Sequence, residues 1–323
     1  MLVLWLIVLL SGIGASSTSA WCTQWVEEFD QDPTQHGWQT VGAADLFQWE
    51  AGAGTLRVHW DSSRSNSFFV LPLGTTLSTA DPFAFEFEIT LDSVGPRVPD
   101  RPSILQVAAG LVRRDLLPDG MPARLTGSAR DLVEWDWFPA SDIPGFGGSP
   151  DVISPAVFGD AGTRAFSFDN YFNPGDGATW RVRMTNDPVR RIVETRLWRN
   201  GVEQGPVNPV RLTAAFGDAQ VDSFALINWS EAATRLDSLE AVGHLDHIRL
   251  QFPDPPLGPV TLQSQGVVSF TGSVGWTFTL LASGDLSHWS EVASAPGTGG
   301  NMVLADPRDG LYATQFYRVR ADR

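Results

Sequence analysis

No lysine occurs in this chain of 323 residues, so all 22 basic side chains are arginines. That absence excludes a Walker-type phosphate loop, whose lysine reaches the phosphates, and any Schiff-base chemistry. Cysteine is nearly as scarce, and Cys22 alone permits no internal disulfide. Positive charge is short overall: 37 acidic residues bring the formal net charge to −15. Without a basic stripe, such a chain is a poor partner for nucleic acid or an anionic membrane. Capped stretches of helical period are also missing. What is present in quantity is apolar: 43% of residues are hydrophobic, with 13 tryptophans and 19 phenylalanines, ample for a large core.

The first ten residues, "MLVLWLIVLL", form an apolar run followed by the small and polar "SGIGASSTSA". The run is short for a bilayer-spanning helix and suits an export signal, residues 1–20, cleaved after Ala20. A lipoprotein signal wants a small residue before its cysteine, and Trp21 stands there. The expected location is therefore secreted or at the cell surface, with no stable membrane insertion after cleavage.

Past residue 21 strands and turns alternate. "FAFEFEITLD" puts Phe83, Phe85, Phe87, Ile89 and Leu91 on one face, and Glu86, Glu88, Thr90 and Asp92 on the other. "TWRVRM" repeats the pattern, and Asn200-Gly201 is a strong hairpin signal. The chain is predicted to be all-β, a two-sheet antiparallel jelly-roll sandwich over residues 21–252. The proline-dense "PDPPLGP", residues 253–259, reads as a linker, and 260–323 as a second, small β-sandwich.

"DLVEWDWFP", residues 131–139, carries the chemistry that needs explaining. Period-two alternation places Glu134, Asp136 and Phe138 on one face, and Val133, Trp135 and Trp137 on the other. The tryptophans are expected in the core and the acids on the outer, concave face of a sheet. A carboxylate pair there suits a sugar-cleaving enzyme, a sugar-binding protein or a cation site. A merely solvated strand face accounts for it equally well.

Three segments, "WVEEFDQDPTQHGWQTVG", "VEWDWF" and "HLDHIRLQF", together resemble the concanavalin A-like lectin and glucanase superfamily, which includes laminin-G-like domains. The resemblance spans residues 21–252. "ASGDLSHWSEV" with "FYRVRA" is similar to small fibronectin-type-III-like modules of secreted environmental-bacterial proteins. The glucanases of the superfamily use E-x-D-x-E or E-x-D-x-x-E, and Glu134 and Asp136 match the first two positions. Position 138 is phenylalanine and 139 is proline, so the proton donor is missing. Its loss removes a factor of roughly 10²–10⁴. Asp142 or Asp151 would have to replace it in a rearranged enzyme. Legume lectins offer a second match, in which Ala140 and Ile143 stand where asparagine and aspartate are wanted.

The resemblance also implies a structural calcium ion held by Asp246, with a backbone oxygen from Gly54 and the acidic "EEFD" segment nearby. An aspartate bonding backbone at a strand end is the competing reading. His244 and His247, three apart on a strand, are expected on opposite faces and hence not a zinc pair. Trp60 and Trp229 are candidates for stacking on sugar rings, and "GFGGS" reads as a loop. The expected function is non-catalytic binding of a polysaccharide or cell-surface glycan, through Glu134, Asp136 and Phe138. A rearranged glycoside hydrolase and a structural surface-layer or matrix module are the alternatives.

Overall fold

The computed structural model describes residues 23–96, 107–117, 129–139, 151–160, 162–230, 239–253, 260–264, 266–272, 276–298, 300–308 and 315–322. The apolar N-terminal run, Ala140, Asp142, Ile143, "GFGGS" and residues 254–259 of the proline-dense break lie outside them. The chain divides into two compact units, one within Trp21–Pro253 and the other within Asp254–Arg323. Among the described residues no α-helix occurs, and no helix is long and apolar enough to cross a membrane.

The larger unit begins with β1 (Thr23–Glu27), β2 (Gln39–Val41), β3 (Phe47–Glu50), β4 (Thr55–Asp61), β5 (Ser67–Leu77) and β6 (Phe83–Pro96). It continues through β7 (Val107–Val112), β8 (Leu132–Phe138), β9 (Val152–Ile153), β10 (Ala156–Phe158) and β11 (Arg164–Phe166). It ends with β12 (Thr179–Asp187), β13 (Ile192–Arg199), β14 (Val202–Gln204), β15 (Val210–Arg211), β16 (Val221–Asn228) and β17 (Leu239–Phe252). A nine-stranded sheet runs β14-β13-β12-β6-β17-β4-β3, with β1 on β17 and β15 on β13. An eight-stranded sheet runs β11-β10-β8-β7-β16-β5-β2, with β9 on β8. All pairings in both are antiparallel, giving the two-sheet sandwich that the alternating pattern predicts.

Alternation explains which face each sheet buries. On β6, Phe83, Phe85, Phe87, Ile89 and Leu91 are buried, and on β12 so are Trp180, Val182 and Met184. Each such side chain stabilises the fold by roughly 1.5–3 kcal/mol on burial. Rings from the two sheets meet between them: Phe85 with Phe224 at 5.6 Å and Phe87 edge-on to Trp135 at 5.5 Å. A polar clasp ties β4 to β16. Trp60 Nε1 donates to the Ile227 carbonyl at 3.1 Å, and the Asp61 amide donates to Asn228 Oδ1 at 2.8 Å. Trp60 is therefore core, not a sugar platform, because its indole is spent in joining the sheets.

The smaller unit holds β18 (Thr261–Ser264), β19 (Val267–Gly272), β20 (Thr277–Ser283), β21 (Ser290–Pro296), β22 (Gly300–Ala305) and β23 (Phe316–Asp322). Two three-stranded antiparallel sheets, β18-β19-β22 and β21-β20-β23, enclose Phe270, Trp276, Phe278, Leu280 and Met302. Phe270 and Phe278 pack at 5.2 Å.

Candidate functional site

β8 lies inside the eight-stranded sheet, between β7 and β10. Trp135 faces Phe87 of the other sheet, and Trp137 lies against Gly175, where an added Cβ would stand 2.7 Å from its ring. The tryptophans thus point between the sheets, and Glu134 and Asp136 project from the opposite face. One expectation fails there: both acids are fully buried, each at 0% exposure. The face they occupy is not a solvated one. Phe68, Val70, Ala108, Ala225 and Ile227 share it by register and are equally buried. Glu134 accepts a hydrogen bond from Trp229 Nε1 at 3.2 Å, and Trp229 itself is only 2% exposed. Trp229 is therefore not an open stacking surface. Phe138, at the end of β8, is partly exposed and pairs with Val152 of β9. Asp151 precedes that pair, past the end of the strand rather than beside Glu134.

A cross-strand row explains the local shape. Val70, Ala225, Gly110, Glu134, Ala156 and Phe166 stand opposite one another in succession across β5, β16, β7, β8, β10 and β11. The acid is flanked by glycine and alanine, and the row ends in an aromatic at the sheet edge. Phe166 packs against Phe158 at 5.4 Å and Phe168 at 5.6 Å. Phe168 and Tyr171 are 57% and 58% exposed, and the Tyr171 hydroxyl donates to Asp169 Oδ1 at 3.0 Å. That bond to Asp169 raises the Tyr171 pKa.

The segment carrying these rings is pinned from beneath. Buried Asn170 donates through Nδ2 to the Ile153 carbonyl at 3.0 Å and to Ser167 Oγ at 2.9 Å. Its Oδ1 accepts the Asn208 amide at 2.7 Å, and Asn208 Nδ2 donates to the Phe168 carbonyl at 3.1 Å. Sequence reasoning did not single out "FSFDNYF", although a phenylalanine–aspartate–tyrosine cluster in a polar loop was the available signal.

A second cluster lies on the outer face of the nine-stranded sheet. Glu28, Asp246 and His247 each offer a ligand atom within 4.8 Å of the others. A bulge in β17 between Asp246 and Arg249 brings them together, with His247 in the left-handed region at φ 51. His247 Nδ1 bonds Glu28 Oε2, while His244 contacts Glu50 and Asp92. The two histidines therefore share a face, contrary to the strand-period expectation, because the bulge resets the alternation. Burial raises the Asp246 pKa, and the Glu28 and Glu27 charges add to it against the opposing His247 amide and ring.

Asp246 Oδ1 accepts the His247 amide at 2.8 Å, so the competing reading of a backbone-bonding aspartate holds as well. Gly54 closes the β3–β4 turn at φ 66, its amide donating to the Glu50 carbonyl at 2.9 Å. A Cβ there would lie 3.9 Å from the carbonyl oxygen of Phe29, the residue after Glu28. Calcium takes six to eight oxygens. A cluster whose centre is an imidazole, with Glu28 already engaged by it, does not fit that ion.

No family model and no curated protein matches the chain. Solved structures do. Peanut lectin with a bound nonamer peptide aligns over 72% of this chain and 100% of its own at 11% identity, with a TM-score of 0.47. Lectin II from Ulex europaeus aligns over 72% and 99% at 12% identity, with a TM-score of 0.44. An alginate lyase Aly36B mutant in complex with alginate tetrasaccharide aligns over 72% and 94% at 11% identity, with a TM-score of 0.39. At such identities the likeness is one of architecture and says nothing of ligand.

Proposed function

We propose that this chain is an exported, non-catalytic carbohydrate-binding protein that engages a polysaccharide or cell-surface glycan at the edge of its eight-stranded sheet. The observation that carries this reading is the pair of exposed rings, Phe168 and Tyr171, flanking the Asp169 carboxylate on a segment held by Asn170 and Asn208. Aromatic faces pack against the apolar C–H faces of sugars, and a carboxylate accepts hydroxyl hydrogen bonds. Holding the rings in place beforehand lowers the ordering cost of binding. The site moves from Glu134 and Asp136, whose burial withholds them from a ligand, to the aromatic rim. The same burial weighs against a glycosidase, which must bring both carboxyl groups to the scissile bond. It also favours a second reading, a structural surface module whose concave face is filled. The smaller unit is taken as a fibronectin-type-III-like accessory module.

A glycan array probed with residues 21–323, followed by calorimetry on any hit, tests the proposal. Phe168→Ala and Tyr171→Ala should each weaken binding by roughly 2- to 12-fold, the equivalent of about 0.5–1.5 kcal/mol per ring contact. Both side chains are exposed, so the melting temperature should hold. An array silent for all glycans would favour the structural module. Turnover of laminarin or lichenan, abolished by Glu134→Gln, would establish the enzyme instead.

A further inference from the structure

We propose that Asn200 is a site of spontaneous modification, where the backbone nitrogen of Gly201 closes a succinimide ring on the side chain and converts the residue to aspartate and isoaspartate. Of the eight asparagines in the sequence, Asn200 alone precedes a glycine. Asn173 and Asn208 precede prolines, whose nitrogens carry no proton to give up. Asn170, Asn186 and Asn228 are buried, and each spends its Nδ2 on carbonyl or hydroxyl acceptors. Asn66 and Asn301 precede Ser67 and Met302, which stand in β5 and β22 and whose side chains crowd the attacking nitrogen. Gly201 has no side chain to do so, and a Cβ placed there would meet nothing within 4 Å.

The turn also holds the reacting groups in place. Asn200 and Gly201 are both exposed between β13 and β14. The Asn200 amide donates to the Thr179 carbonyl at 2.8 Å, and Asn200 Oδ1 accepts the Thr179 amide at 3.1 Å. The second bond polarises the side-chain carbonyl, and a backbone N–H on that oxygen is the kind of donor that stabilises a tetrahedral oxyanion. Among the described residues nothing accepts from the Gly201 amide or from Asn200 Nδ2, so nucleophile and leaving group are both unencumbered. The Gly201 nitrogen gives its proton to hydroxide and bonds to Cγ. The Cγ–Nδ2 bond breaks, and ammonia departs with a proton taken from water. A second water opens the ring at either carbonyl. One opening gives aspartate, and the other gives isoaspartate, whose backbone runs through Cγ. Both products add a negative charge, and isoaspartate lengthens the turn by a methylene. A two-residue turn sets the register of its hairpin. β14, with 3 residues, should therefore come off β13.

The test holds residues 21–323 in mildly alkaline buffer beside a free synthetic peptide of residues 195–203, the fragment that glutamyl endopeptidase releases from the protein. In the folded protein this segment should gain the mass of NH exchanged for O before any other asparagine-bearing fragment does. The intact protein should become a substrate for isoaspartyl methyltransferase over the same period. The rate should climb with pH, because the nucleophile is the deprotonated nitrogen. Gly201→Ala should slow the reaction at least about tenfold, a barrier higher by about 1.4 kcal/mol. Asn200→Gly suits the left-handed turn and should abolish it. Aged protein should lose hydrogen-exchange protection at residues 202–204 while the rest of the larger unit keeps its own. Melting curves of both variants establish that each is folded. A folded chain left unmodified at Asn200 while the free peptide converts would overturn the proposal. So would modification that begins at another asparagine, or an unchanged rate in Gly201→Ala.

Discussion

Gly110 shows how one missing side chain sets the spacing of two strands. An added Cβ would lie 2.2 Å from the Val133 carbonyl oxygen and 2.6 Å from the Glu134 Cα, both backbone atoms of β8. Neither can move without opening the β7–β8 ladder. Gly110→Ala is expected to destabilise the larger unit by about 1–3 kcal/mol, read as a lower urea midpoint. An unchanged midpoint would show that the ladder gives way freely. The acid beside this glycine also marks a limit of sequence reading. Alternation in "VEWDWF" correctly sends Trp135 and Trp137 between the sheets and the two acids to the other face. It carries no information about whether that face meets water. The signal for burial sat on other strands, in Val70, Ala108, Ala225 and Ile227, whose register with β8 depends on long-range pairing.

Whole elements were legible where the period was unbroken. β6 and β12 keep strict alternation, and Asn200-Gly201 forms its hairpin with both residues in the left-handed region, at φ 48 and φ 78. β17 is different, because a bulge adds a residue that period-two counting cannot foresee, and the Glu28–Asp246–His247 cluster depends on that residue. The turn between β20 and β21 is a third case, built on a single carboxylate. Asp285 Oδ1 accepts the amides of Ser287 and His288, each at 2.8 Å, and Oδ2 takes His288 Nδ1 at 2.8 Å. The bond to His288, backed by these amides, holds the Asp285 pKa far below the usual carboxylate range. The same bond raises His288 above its ordinary value. The histidine's contribution is complete below about pH 6.5 and is lost as pH rises through its raised folded value. The aspartate's is complete above about pH 4 and is lost as pH falls toward its depressed value. The pair is thus fully formed between about pH 4 and 6.5. An NMR titration of the His288 ring should give a pKa above the ordinary value, and Asp285→Asn should bring it back down. A wild-type midpoint no higher than that variant's would show that the turn does not hold in solution.

At the scale of the molecule, two units of unequal size each build their own sheets and core. The larger closes a nine-stranded sheet on an eight-stranded one, whereas the smaller has two sheets of three strands. Buried area grows faster than chain length, so a domain of about 60 residues buries only about 60% of its unfolded surface and is correspondingly marginal. Two melting transitions are therefore expected in calorimetry, the smaller unit unfolding first. Phe270→Ala assigns them. Phe270 is 1% exposed and packs on Phe278, and truncating a buried phenylalanine costs about 3–5 kcal/mol. That loss is comparable to the whole stability that a core of this size supplies. The lower transition should therefore vanish in the variant while the upper one keeps its temperature and enthalpy. Residues 21–253 expressed alone should reproduce the upper transition unchanged. A single transition in the full chain, shifted as a whole by Phe270→Ala, would mean that the two cores unfold as one.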